Sequence, residues 1–116
     1  MFLSSALVFM MTIVITKEQI TEDVPLGVSE EEMVQYFRDL GDGVVIGYYN
    51  RQNSVTGTVS HELQDDEAGY YIVTIRGVRN NWWRPSFGRV LIPLVVISNE
   101  GKVAEIKFFG GRVGWP

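Results

Sequence analysis

Apolar residues recur along this chain with different periods, and each period predicts a different kind of element. Met1–Ile15 (MFLSSALVFMMTIVI) is almost wholly apolar, with Ser4, Ser5 and Thr12 its polar residues and Lys17 the first charge. Met33, Phe37 and Leu40 then follow i, i+4, i+7 spacing, with Tyr36 widening the same face, which is helical periodicity. After Gly43 the pattern turns to short apolar or alternating runs, the mark of strands. Val44–Tyr49 is a short apolar run. Ser54–Ser60 alternates, with Val55, Gly57 and Val59 on one face. Gly69–Arg76 sets Tyr71, Val73 and Ile75 against Tyr70, Ile72 and Thr74. Arg89–Ile97 is a longer apolar run, and Val103–Phe109 sets Ala104, Ile106 and Phe108 against Glu105 and Lys107.

The residues between these runs supply starts and stops. Ser29 is a good N-cap, Glu32 completes a capping box, and Val28 and Met33 hold the staple positions. Glu30, Glu31 and Glu32 place negative charge at the positive end of the helix dipole, which gives them a structural role rather than a catalytic or metal-binding one. Gly41 is the expected stop, so a helix is predicted over Glu30–Leu40. Asn50–Asn53 and Ser98–Lys102 read as turns, the second with Gly101 for the left-handed position. Pro93 cannot donate to a ladder, which predicts an edge strand or a bulge there. Thr16–Leu26 is polar and acidic and reads as a linker.

The expected fold is therefore α+β: one N-terminal-side helix packed on a four- to five-stranded antiparallel sheet. The expected organisation is a hydrophobic export or anchor segment over 1–16, a linker over 17–26 and a single domain over 27–116. The apolar segment admits three readings. As a signal peptide it lacks a preceding basic residue and a following small-x-small cleavage site. As an anchor its fifteen or so residues span about 24 Å, short of the ~30 Å hydrocarbon core. The third reading starts translation at Met10 or Met11, so that the β-branched run Thr12–Thr16 opens the protein with a strand. The export or anchor reading is the one adopted, which predicts a cell-envelope location and membrane contact through Met1–Ile15; a cytoplasmic location is the alternative.

Composition excludes more than it assigns. At 46% hydrophobic and 21% charged, 116 residues suffice for one folded domain and exclude a disordered chain. With no cysteine there is no disulfide, thiolate metal site or thiol nucleophile, and His61 is the single histidine. The net charge of −4 argues against nucleic acid as a partner. Charge is unevenly spread, however. Arg76, Arg79, Arg84 and Arg89 fall in a stretch without an acid, while the remainder carries all fourteen acids and six bases. A positive stretch in an acidic protein attracts anionic partners.

That stretch also holds the strongest candidate site, Trp82-Trp83-Arg84-Pro85-Ser86-Phe87. Adjacent indoles on an extended chain point to opposite faces, so at least one is expected at a surface. Tryptophan and arginine are enriched at interface hot spots. Arg76, Arg79, Trp82, Trp83, Arg84, Phe87 and Arg89 are therefore the predicted partner-binding residues; the competing reading has both rings covering the ends of a small core. Tyr48-Tyr49 and Tyr70-Tyr71 are expected to form cross-strand pairs. His61, Glu62, Asp65, Asp66 and Glu67 lack the spacing of a calcium loop and a second histidine for zinc, and read as a solvated acidic loop. No catalytic residue, metal or cofactor is assigned.

The segments PLGVSEEEMVQYF, the strand end IRGV and VLIPLVVISNEGKVAEIKFF resemble those of small bacterial envelope domains, in which a P-x-G-x-S-x-E-E-V opening starts a helix and a D/E-G-K turn closes a terminal hairpin. The pattern, from Val24 to Pro116, is similar to outer-membrane assembly lipoproteins of the SmpA/OmlA type and to β-lactamase-inhibitor-like domains. The resemblance implies an exported, non-enzymatic domain, in some members protein-binding. It departs from the lipoproteins in lacking the lipidated cysteine. The function expected is thus a non-enzymatic exported or membrane-tethered domain that contacts a protein partner through its Arg/Trp loop. The alternative is an intracellular inhibitor or accessory protein that starts near Met11 and binds a partner enzyme.

Overall fold

The computed structural model describes residues 15–41, 43–53, 57–76 and 89–112. Two helices, α1 (Lys17–Asp23) and α2 (Glu30–Arg38), precede four strands: β1 (Val44–Tyr49), β2 (Glu67–Arg76), β3 (Arg89–Ser98) and β4 (Val103–Arg112). The strands form an antiparallel meander in the order β1-β2-β3-β4. The α+β class and the four-stranded sheet agree with the sequence; the single helix does not.

The extra helix lies in the stretch read as a linker. Thr16 caps α1 by accepting from the Gln19 N–H at 3.1 Å, and Ile20 and Val24, one turn apart, are both buried. Seven residues are too few for a helix to persist in water on propensity alone, so burial of this apolar pair holds it. α2 starts as expected: the Ser29 hydroxyl accepts from the Glu32 N–H and donates to the Glu32 carboxylate, both at 3.2 Å. The two helices are joined by the Tyr36 hydroxyl, which donates to Asp23 at 2.8 Å. Burial, and then that bond to a carboxylate, push the Tyr36 phenol above its ordinary pKa.

Both helices cover one face of the sheet. Ile20, Val24, Met33 and Phe37 meet Val73 and Ile75 of β2, Val95 and Ile97 of β3, and Val103 of β4 in one core. Ile15 belongs to this core and is 6% exposed, so the folded unit includes residues placed in the apolar segment. The segment before α2 is fastened to the last hairpin. Gly27 donates to the Val103 carbonyl, Val103 donates to the Val28 carbonyl, each at 2.8 Å, and Ser29 bridges Lys102.

Two strand expectations need correction. Residues 57–60 of the predicted strand Ser54–Ser60 are bends and coil, while 54–56 lie outside the described residues. Pro93, expected at an edge or bulge, is buried on the inner strand β3. The sheet tolerates it through a gap: the β2–β3 partners run to Ile72↔Leu94 and resume at Ile75↔Leu91 without a change of register. Proline's missing N–H falls in that interval.

Candidate functional site

The second face of the sheet is partly covered by the connection between β1 and β2. Tyr70, Leu94 and Val96 form a small core there, with Tyr49, Val59, Leu63, Ile72 and Phe109 packed around it. The expected tyrosine pairs are present. Tyr49 stacks on Tyr70 with ring centroids 5.6 Å apart on this face, and Tyr48 tilts against Tyr71 at 4.8 Å on the other.

Over Tyr70 lies a group of ionisable side chains, His61, Glu67 and Lys107. His61 packs edge-on to the Tyr70 ring at 5.9 Å. Its Nε2 is 2.8 Å from Glu67 Oε1, and its Nδ1 is 2.9 Å from Lys107 Nζ. A lysine ammonium can only donate, so Nδ1 accepts and the ring proton sits on Nε2, donated to Glu67. Glu67 Oε1 also accepts from the Gln64 N–H at 2.9 Å. The string therefore runs Lys107, His61, Glu67, Gln64, with every link a donor meeting an acceptor.

The local chain builds this arrangement. Glu67 begins β2, Lys107 sits on β4 two strands away, and His61 lies in the connection that crosses the sheet. The loop is fastened at further points: the Arg51 guanidinium donates to the Gln64 carbonyl, the Asn99 amide to the Asp65 carbonyl at 3.0 Å, and the Asn99 N–H to the Asp66 carbonyl at 3.0 Å. The fully solvated acidic loop is thereby corrected. Glu62, Asp65 and Asp66 are exposed, but the side chains of His61 and Glu67 are only 7% and 12% exposed. Sequence reasoning could not find the string, because Lys107 comes from a strand 46 positions away.

Glu67 is held below the ordinary glutamate value. Burial pushes it up, but the Gln64 N–H, the His61 hydrogen bond and the Lys107 ammonium together outweigh burial. The Tyr70 hydroxyl beneath the string is buried and has no hydrogen-bond partner among the described residues.

His61, Glu67 and Glu105 bring potential metal-ligand atoms within 4.8 Å of one another. The ring nitrogens are already engaged, one by Lys107 and one by Glu67, so a cation would have to displace a lysine that supplies positive charge at the same place. The arrangement as built is a hydrogen-bonded strut from the β1–β2 connection to β4.

Of the sequence-predicted binding residues, Arg76 ends β2 and is exposed, and Arg89 begins β3, its side chain outside the described residues. Arg79, Trp82, Trp83, Arg84 and Phe87 lie outside the described residues altogether, as does Met1–Val14 of the apolar segment. No helix among the described residues is long and apolar enough to cross a membrane. Comparison with protein-family models, with curated proteins and with solved structures finds no match to this chain.

Proposed function

We propose that this domain works by binding a protein partner, without chemistry of its own, and that the connection from Arg76 to Arg89 carries the contact. The observation that supports the reading is where this connection leaves and rejoins the sheet. Arg76 pairs with Val90 and Ile75 with Leu91, so its two ends emerge side by side from the inner strands β2 and β3. A twelve-residue insertion between paired inner strands far exceeds what a hairpin turn needs, and connections of that length in small domains are usually functional. This one carries Arg79, Trp82, Trp83, Arg84 and Phe87 and no acid, in a protein of net charge −4. Such a segment suits a partner surface that is acidic and has a pocket for an aromatic ring.

The N-terminus bears on where this happens. Ile15 is in the core and Thr16 caps α1, so a cut after Thr16 would remove both from the fold. A tethered chain keeps them, and so does a chain begun near Met11, acting in the cytoplasm as an inhibitor or accessory protein. Mass spectrometry of the mature N-terminus, with cell fractionation, separates these cases.

The binding reading is tested with Trp82→Ala/Trp83→Ala and Arg79→Glu/Arg84→Glu variants of the full chain. Partner capture should fail in both pairs while thermal unfolding stays at the wild-type temperature. Collapse of the fold in the tryptophan pair, or undiminished capture in both pairs, overturns it.

A further inference from the structure

The two edges of the sheet are built differently. The start of β4 is paired on its outer side by Gly27–Ser29, the β3–β4 register shifts between Val96 and Ile97, and Glu105 and Lys107 put charge on the strand. Covering segments, bulges and charges are the means by which sheets stop at an edge. Among the described residues β1 has none of these. Its sequence, VVIGYY, carries no charge and no proline, and it pairs with β2 in unbroken register from Val44↔Ile75 to Tyr49↔Tyr70. Among the described residues its backbone is met outside β2 only at its ends, by Val44 N–H to the Gly41 carbonyl at 3.4 Å and by the Asn53 amide on the Tyr48 carbonyl at 3.3 Å. Val45 is 58% exposed and Tyr48 39%.

We propose that a second copy of this chain adds to β1, antiparallel and centred on Gly47, joining two sheets into one continuous sheet across a two-fold axis. A strand that pairs with itself must set residues of the same face opposite one another, which restricts the centre of the pairing to a residue. Centred on Gly47, Val45 meets the partner's Tyr49 and Ile46 meets the partner's Tyr48. Both are pairs of an aromatic with a β-branched residue, the favourable cross-strand combination. Centred one residue earlier, Val45 would instead face a bare glycine. Gly47 suits the centre because it has no side chain of its own, and the Tyr49 ring lies over it, where an added Cβ would come within 3.1 Å. The Arg/Trp connection takes no part, so this pairing and the binding function stand or fall separately.

Sedimentation equilibrium of the full chain over a range of concentrations tests the pairing, with Val45→Lys at the β1 edge and Ala104→Lys at the β4 edge as control. Wild type and Ala104→Lys should show a reversible monomer–dimer equilibrium, and Val45→Lys should weaken association by about tenfold or more with unchanged thermal unfolding. A wild type that stays monomeric, or a dimer that survives Val45→Lys, overturns the proposal. Amide hydrogen exchange of β1 in the wild type reads the same pairing without a substitution. Protection there must rise with protein concentration, and protection that does not rise overturns it equally.

Discussion

Lys107 and His61 meet as donor and acceptor, Nζ to Nδ1 at 2.9 Å, and this fixes the imidazole as the Nε2–H form that donates to Glu67. Nitrogen chemical shifts of the ring should report that single tautomer in the wild type. Lys107→Met frees Nδ1, and the shifts should move toward a mixture of tautomers. Identical shifts in both proteins contradict the assignment.

Glu67 gives the strut a pH signature. Its folded value lies below the ordinary 4.5, so the folded state binds the proton less tightly than the unfolded chain does. The stability it contributes is complete above 4.5 and is lost as pH falls through the lower, folded value. Glu67→Gln should therefore flatten the acid limb of a stability–pH curve. An acid limb as steep as that of the wild type would sink this account.

On the helical face, the Tyr71 hydroxyl donates to Glu30 in the first turn of α2, tying that helix to β2. Burial first, then the bond to Glu30, raise the Tyr71 phenol above its ordinary value of 10.0. A raised folded value means stability that is fully present below pH 10.0 and is lost as pH rises through the folded value. Tyr71→Phe should cost about 1–2 kcal/mol at neutral pH, as expected for a partly buried bond to a charged acceptor, and should flatten the alkaline limb. Urea unfolding at neutral and alkaline pH measures both effects.

Tyr70 behaves in the opposite sense. Its hydroxyl is buried without a hydrogen-bond partner among the described residues, so removing it should relieve a desolvation penalty. Tyr70→Phe should leave stability unchanged or raise it by up to about 1 kcal/mol, because the ring contacts to Tyr49 and His61 remain. A loss of more than that in denaturant unfolding would mean the hydroxyl does have a partner.

Gly69 is a site of close approach. An added Cβ would meet the Tyr48 hydroxyl and come within 2.7 Å of the Tyr49 carbonyl. Gly69→Ala should destabilise by about 1–3 kcal/mol, the usual cost of overpacking. Trimming Tyr48 as well should not restore stability, because the backbone carbonyl remains; full rescue in the double variant would refute the geometry.

How much of this the sequence disclosed depended on how local the determining contacts are. The start of α2 needs only Ser29 and Glu32, and the last hairpin only a glycine at the left-handed position, where Gly101 has φ +78°. Both were readable. The tyrosine pairs followed from strand alternation once two aromatic doublets lay on neighbouring strands. α1 escaped because its polar surface hides an apolar pair, Ile20 and Val24, whose value appears only when a sheet lies beneath it. Pro93 was misplaced because a missing donor says nothing about whether the neighbouring strand leaves a gap for it. The His61–Lys107 contact was invisible for the simplest reason: its partners come from distant parts of the chain, and each alone looks like an ordinary surface charge.

The clasp of Gly27 and Val28 on Val103 has a consequence for how the molecule comes apart. It ties the entry to α2 onto the start of β4, so α2 and the last hairpin cannot separate without breaking these backbone bonds. Unfolding should therefore proceed as one cooperative step rather than by fraying from a terminus. Breaking the clasp should therefore loosen α2 and the last hairpin together.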